Sequence, residues 1–428
     1  MKYENIQLIQ PEKSPGYVNN SRTGCYVPLG LVSIATYSRQ QFPDADIEIL
    51  DGELMTNQEI IRKLKPKAII GIDTKTPNYV SALEIAYAAK NIGCKIVLGG
   101  VYASAIPKEI DCHRKSVIDH IVVGFGEEPF VAIIKGRKDR IIYNPEPNFE
   151  ELPEPDRNFV DFEKYVTNFK KNHSTWNYRG TNIFTHIGCK YKCLFCSRSG
   201  PKSAKYKSPN SVWHEVRTLV EHYGIEYLVD FSDTITQDIY AFNNLVDAKP
   251  KDLNPIFHIF STAEGINQKS IKLFKKLNAR HIFIGAETGD YVLARKISKG
   301  DSFSPKMTLE AITLLSKNGI GVTPSFVLGL PGENEESLDT TYKFAEKIKN
   351  LSGFEEVFCS ALIPFPGSRA FDLLKDRVKK PDTDVFDPEE LKKSWVKEFC
   401  NVGYNTINFY VDKILNLGDY TITIRKDS

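Results

Sequence analysis

The sequence predicts an α/β protein with a Rossmann-like open parallel sheet first, a partial (β/α)6 barrel second and a small C-terminal extension. Three observations carry that expectation. Short runs rich in Ile and Val alternate with amphipathic stretches, the pattern of parallel strands joined by crossover helices. A proline-rich segment at residues 144–156 divides this alternation into two series. A chain of 428 residues also exceeds what one hydrophobic core ordinarily serves.

The first series places strands at 6–9, 47–50, 68–72, 95–98 and 120–123. Helical spacing of apolar residues falls between them at 31–40, 57–64 and 79–91. Asp51-Gly52, Gly99-Gly100 and Gly124-Phe125-Gly126 punctuate the strand ends. These elements define a domain over 1–142. The segment NPEPNFEELPEPD carries four prolines and supports neither a central strand nor a long helix, so 143–175 reads as a linker. The second series has strands at 182–187, 226–231, 256–260, 281–285, 322–328 and 357–363, with helices at 211–222, 268–277, 304–317 and 335–349. Six such units over 176–370 predict a barrel that need not close. In the extension, 371–428, one late strand is expected at 420–424 after helices.

Composition narrows the function classes. With 56 basic and 54 acidic residues, 41% hydrophobic and 26% charged, the chain is of ordinary globular type. Its balance points to neither nucleic acid nor an anionic membrane. Glu4, Asn5 and Gln7 interrupt the place where a signal peptide needs an apolar core, and no apolar run reaches bilayer length. A cytoplasmic location is therefore expected. Eight cysteines, three of them within 189–196, suit a metal site in a reducing compartment better than a disulfide framework.

Those three, Cys189, Cys193 and Cys196, open the loop after the first strand of the second series. Soft thiolates select iron-sulfur clusters or zinc, and structural zinc would need a fourth ligand, for which His186 and His173 are the candidates. The spacing CxxxCxxC, with Phe195 before the last Cys, resembles that of the radical S-adenosylmethionine (SAM) superfamily. The resemblance implies that the three cysteines bind three irons of a [4Fe-4S] cluster and leave the fourth open to SAM. Reduction would then cleave SAM to methionine and a 5′-deoxyadenosyl radical that abstracts hydrogen from substrate.

The same resemblance runs through roughly 180–370. Polar outliers fall at the carboxyl ends of the predicted strands, where parallel barrels place their chemistry. Asp233 in FSDTITQD is similar to the acidic segment near the SAM amino group, and Ser261 and Glu264 follow the third strand. Glu287 in HIFIGAETGD is similar to the segment touching the SAM ribose, with capping of the next helix as its structural alternative. Gly329 and Pro364 end the fifth and sixth strands. Lys299, in Lys299-Gly300, would meet the SAM carboxylate or substrate, or lie on a solvated helix end.

The first domain is similar to that of cobalamin-binding radical SAM enzymes. VPLGLVSIA, VLGGVYASAIP and DHIVVGFGEEPF occur in that order, which marks Pro28, Leu29, Gly30, Gly71, Gly99, Gly100, Gly124, Gly126 and Glu127 as corrinoid contacts. Two departures stand out. The Asp-x-His-x-x-Gly motif that supplies a lower axial histidine elsewhere is absent from the loop after the first strand, and Asp111-Cys112-His113 holds only a fragment of it. In VVGFGEE no Arg precedes the first Gly, so a domain that kept its fold without cobalamin is the alternative. Cys25 and Cys359 are further cysteines expected to face the cavity if either is catalytic.

The leading expectation is a cobalamin-dependent methyltransferase, class B-like, acting on an unactivated carbon of a small molecule or natural product. An electron donor such as flavodoxin or ferredoxin would supply the cluster. The rivals are a radical SAM enzyme that transfers no methyl group and a cluster-based or cobalamin-based sensor without turnover.

Overall fold

A computed structural model describes residues 4–13, 24–172, 177–197, 200–297, 299, 303–377 and 384–418. The first half runs β1 (Asn5–Gln10), α1 (Leu29–Gln41), β2 (Asp46–Asp51), α2 (Asn57–Arg62), β3 (Ile69–Asp73), α3 (Tyr79–Asn91) and β4 (Lys95–Gly99). It continues with α4 (Gly100–Ala105), α5 (Pro107–Arg114), β5 (His120–Gly124), α6 (Glu127–Ile134) and β6 (Ile141–Asn144). The strands form one sheet in the order β2-β1-β3-β4-β5-β6, and every pair is parallel. Ile6, Leu8, Ile70, Ile96 and Ile121 are sealed from solvent, as expected of strands covered by helices on both faces.

The proline-rich stretch after β6 holds neither strand nor α-helix until α7 (Phe162–Asn172). That helix lies inside the segment read as linker. Its Phe169 packs so closely on Gly180 that a Cβ there would sit 2.1 Å from the ring.

The second half comprises β7 (Gly180–Ile183), β8 (His186–Ile187), β9 (Lys205–Tyr206), α8 (Pro209–Tyr223), β10 (Tyr227–Asp230), α9 (Ile239–Asp247), β11 (Ile256–Ser261), α10 (Gln268–Leu277) and β12 (Ala279–Glu287). After these come α11 (Tyr291–Lys296), α12 (Pro305–Lys317), β13 (Gly321–Leu328), α13 (Glu335–Ser352), β14 (Phe358–Ala361), α14 (Arg369–Lys375), α15 (Pro388–Phe399) and α16 (Tyr404–Leu415). Local chemistry sets the helix ends. Ser208 caps α8 ahead of Pro209, and Gly224 ends that helix at φ 63°. Asn267 and Asn334 cap α10 and α13.

A second parallel sheet follows the order β14-β13-β12-β11-β10-β7, a half-barrel whose edge strands β7 and β14 do not meet. The strand expected at 182–187 is divided. Thr185 donates its backbone N–H to Asp230 and Ser232, and beyond it β8 pairs antiparallel with β9. That clasp closes the base of the cysteine loop. The strand expected at 420–424 lies outside the described residues. The two halves meet directly: Asn182 on β7 exchanges two hydrogen bonds with the backbone of Val27, at 2.9 and 3.0 Å.

Candidate functional site

The carboxyl ends of both sheets open onto one cavity of about 720 Å³. On one side lie Pro28, Leu29 and Gly30 at the start of α1, with the turns after β3, β4 and β5. Opposite them are Cys189, Cys193, Cys196 and Asp233.

Each glycine turn has a local cause. Gly100 adopts φ +90°, where a Cβ would lie 2.2 Å from Asp73 Oδ1, and Gly124 adopts φ +95°, where one would lie 2.1 Å from the Asn144 carbonyl. Both positions exclude a side chain. Gly71 is narrow for a packing reason, since a Cβ would press on Leu8 and Phe130. Gly30 and Gly99 differ: a Cβ on either meets nothing within 4 Å. The space before them is open, and their bare backbone is accessible from the cavity. At the rim Glu127 is buried, accepts a 2.6 Å hydrogen bond from Ser33 and has its carboxyl raised by that burial. Gly126 faces Ile34 of α1.

The cysteine loop is held from below. Gly188 donates its N–H to Asp233 Oδ2 at 2.8 Å. Gln237 donates from Nε2 to the Gly188 carbonyl at 2.8 Å and accepts the Lys190 N–H at 3.0 Å. Gln237 gave no sequence signal; its only clue was a place four residues after Asp233. Cys189 and Cys193 are half-buried and Cys196 is exposed. Burial pushes the Cys193 thiol up to about 12, against the pull of Lys299. The protein alone therefore keeps this thiol protonated, and a thiolate there needs the charge of a bound metal.

Among the described residues no three His, Cys, Asp or Glu side chains converge on a single ion. A cubane spreads its ligands because each thiolate takes a different iron, which three cysteines around one loop can satisfy. His186 is turned away: its ring stacks on Tyr206 at 5.1 Å and lines a separate cavity of about 140 Å³. His173 lies outside the described residues.

The residues matched to SAM contacts scatter more than expected. Of that group only Asp233 lines the large cavity. Glu264 accepts a 2.7 Å hydrogen bond from Tyr191 of the cysteine loop, and Ser261 is paired with Thr236 at 2.7 Å. Glu287 caps no helix, because Asp290 caps α11. It sits at φ 59°, buried in an ion pair with Lys299, whose ammonium also donates to the Gly285 carbonyl at 3.0 Å. Lys299 is thus buried and lies on no solvated helix end. The N–H of Gly329 is taken by Glu333 and its carbonyl by the Trp395 indole, so its backbone serves the fold. Pro364 is buried in the turn after β14, and Phe195 packs partly buried against the main core.

Cys25 and Cys359 do not face the cavity. Cys25 packs under it with Phe169, Tyr227 and Val229. Cys359 stands in register with Phe326 on the helix-covered face of the sheet, where burial lifts its thiol. His113 lies on α5, away from the cavity lining.

Comparison with known proteins agrees with this geometry. The family model for the radical SAM superfamily matches residues 183–345, and that for the B12 binding domain matches 17–134. An uncharacterized methyltransferase of Pyrococcus horikoshii is 27% identical over 81% of this chain and 78% of its own length. Bacteriochlorophyllide d C-12(1)-methyltransferase of Chlorobaculum tepidum is 26% identical over 89% and 80% respectively. Among solved structures, the radical SAM methyltransferase TsrM of Kitasatospora setae, with cobalamin and a [4Fe-4S] cluster bound, superposes with a TM-score of 0.70 at 16% identity, covering 88% of this chain and 75% of that one. With both family models in sequence and both parallel sheets in space, the chain carries a radical SAM domain with a B12-binding domain ahead of it.

Proposed function

We propose that this enzyme is a cobalamin-dependent radical SAM methyltransferase that methylates an unactivated carbon of a small molecule. One observation carries the reading: the cysteine loop and the open glycine turns face each other across a single cavity. Methyltransferase names among the relatives support it. When bound, the cluster and SAM supply a radical that abstracts hydrogen, and the corrinoid supplies the methyl group.

Cys189, Cys193 and Cys196 hold the cluster. Asp233 and Gln237 are positioning residues that fix the loop through the backbone of Gly188 and Lys190. Asp233 keeps an exposed carboxylate on the cavity side, suited to an ammonium group such as that of SAM. Gly30 and Gly99 would hold a corrinoid by their bare backbone, and Glu127 lines the same cavity. The loop after β1 would offer a corrinoid no histidine, because the chain has none before His113. Tyr26, Phe184 and Phe231 line the cavity and exclude water from the reacting centre. A low-potential protein such as flavodoxin or ferredoxin donates the electron.

The test separates the two halves. Replacing all three loop cysteines with Ala abolishes iron incorporation and SAM cleavage together, while corrinoid uptake by the first domain persists. Retention of normal iron and sulfide in that variant would overturn the assignment.

A further inference from the structure

The concave face of the half-barrel carries a feature that the cofactors do not explain. Four phenyl rings, Phe231 just past β10, Phe260 on β11, Phe283 on β12 and Phe358 on β14, form a continuous ladder. Their successive centroid separations are 5.8, 4.8 and 5.4 Å. Tyr26, arriving from the first domain, joins the Phe231 end with its ring 4.7 Å from Phe231. Across β13 the sheet places Thr323 beside Phe283 and Ser325 beside Phe358. These small side chains let the two rings meet over the intervening strand.

Exposure sets these rings apart. Phe257 and Phe326, on the helix-covered face, and Phe274 on the covering helix α10 are at most 1% accessible. Tyr26 and the four ladder rings are only half-buried, although they lie on the inner face of the sheet. The ladder is continuous with the large cavity, since Tyr26 and Phe231 line it beside Asp233 and the cysteines. Neighbouring ladder rings are inclined by 34 to 57°, so they offer alternating faces and edges, the arrangement aromatic partners prefer. Toward the strand starts, below the middle rungs, His258 stacks on Phe260 at 5.9 Å, and His281 is tied to the Tyr227 hydroxyl. Burial lowers the pKa of His281, with Glu356 opposing the shift and Arg280 adding to it.

We infer that the substrate is a flat, conjugated, largely uncharged ring system that lies along Phe231, Phe260, Phe283 and Phe358, with its reacting carbon at the Tyr26 end beneath the cysteine loop. This rests on the reading of the chain as a radical enzyme acting inside its barrel. An aliphatic chain would bury the same surface but would not use the inclined rings.

The probe is 1-pyrenemethanol, followed by its fluorescence on titration into the full chain, with 1-dodecanol as an aliphatic competitor. Pyrenemethanol binds saturably and dodecanol displaces it poorly. Phe283→Leu and Phe358→Leu each weaken pyrenemethanol binding by roughly three- to tenfold, while Phe326→Leu on the opposite face leaves it unchanged. Equal competition by dodecanol, or unchanged binding in both ladder variants, overturns the inference. Formation of 5′-deoxyadenosine by the reconstituted wild type, measured separately, reports on the radical chemistry itself. Its absence alongside normal pyrenemethanol binding would remove that parent reading and leave the aromatic site standing.

Discussion

The Glu287–Lys299 pair shows what a residue can hide from its sequence context. Glu287 ends an apolar strand, which marks it as functional, and Asp290 three positions later is the better helix cap. Nothing local reveals that Lys299, twelve residues on and past a helix, folds back to pair with it. Both side chains are almost fully buried, so each depends on the other: removing one charge strands its partner in a medium that solvates it poorly. Lys299→Met is expected to lower unfolding free energy by about 3 kcal/mol in urea denaturation. The double variant with Glu287→Met should recover most of that loss. If the single variant is as stable as wild type, the pair does not hold the strand end.

At the scale of elements, legibility followed hydrophobic pattern. The parallel strands were readable because they are buried on both faces and appear as unbroken apolar runs, and α3 and α10 because their apolar spacing is regular. The pair α4 and α5 was not, since a six-residue helix starting at Gly100 shows less than two turns of pattern before Pro107. The proline cluster also masked α7 beyond it. Of the site, the thiolate loop and glycine turns were legible because their chemistry is local, whereas Gln237 and the Tyr191–Glu264 bond depend on contacts between loops. A similar long-range contact anchors α8. Glu215 on that helix is buried between Arg157, at 2.8 Å, and Lys207, at 3.0 Å. Burial alone would raise its carboxyl, but the two cations overcome it and hold it down at about 2. A depressed carboxylate stabilises the fold above its unfolded pKa and loses that contribution as pH falls toward the folded value. Stability should therefore decline between about pH 4.5 and 2, with roughly 3 kcal/mol attributable to this group. Glu215→Gln should flatten that part of the profile; an unchanged acid limb would show that the cations do not act on it.

The whole molecule depends on contacts that join segments far apart in sequence. Asn182 clasps Val27, Tyr165 of α7 bonds Asp51 of β2, and Asp384 of the C-terminal region is buried against the first domain. Arg114 grips the Asp384 carboxylate with two hydrogen bonds at 2.6 and 2.7 Å, and Tyr79 adds a third at 2.6 Å. The C-terminal region thus closes back on helices α3 to α5 of the first domain and braces that wall of the cavity. Asp384→Ala should cost about 3 kcal/mol and loosen the docking of the halves, seen as faster hydrogen exchange in α3 to α5. Exchange confined to the C-terminal helices would mean that the contact does not brace the cavity. Among the described residues no helix is long and apolar enough to cross a membrane.

The central claim is that one cavity serves a cluster and a corrinoid together. Its most direct test is anaerobic reconstitution of the full chain with iron, sulfide and hydroxocobalamin, then desalting, quantification of bound iron and corrinoid, and assay for 5′-deoxyadenosine after reduction with SAM. The account predicts about four irons and one corrinoid retained per chain, no nitrogen ligand from protein in the cobalt spectrum, and 5′-deoxyadenosine in the product mixture. Protein that forms 5′-deoxyadenosine but retains no corrinoid would contradict it, and would leave a radical SAM enzyme whose first domain only covers the barrel.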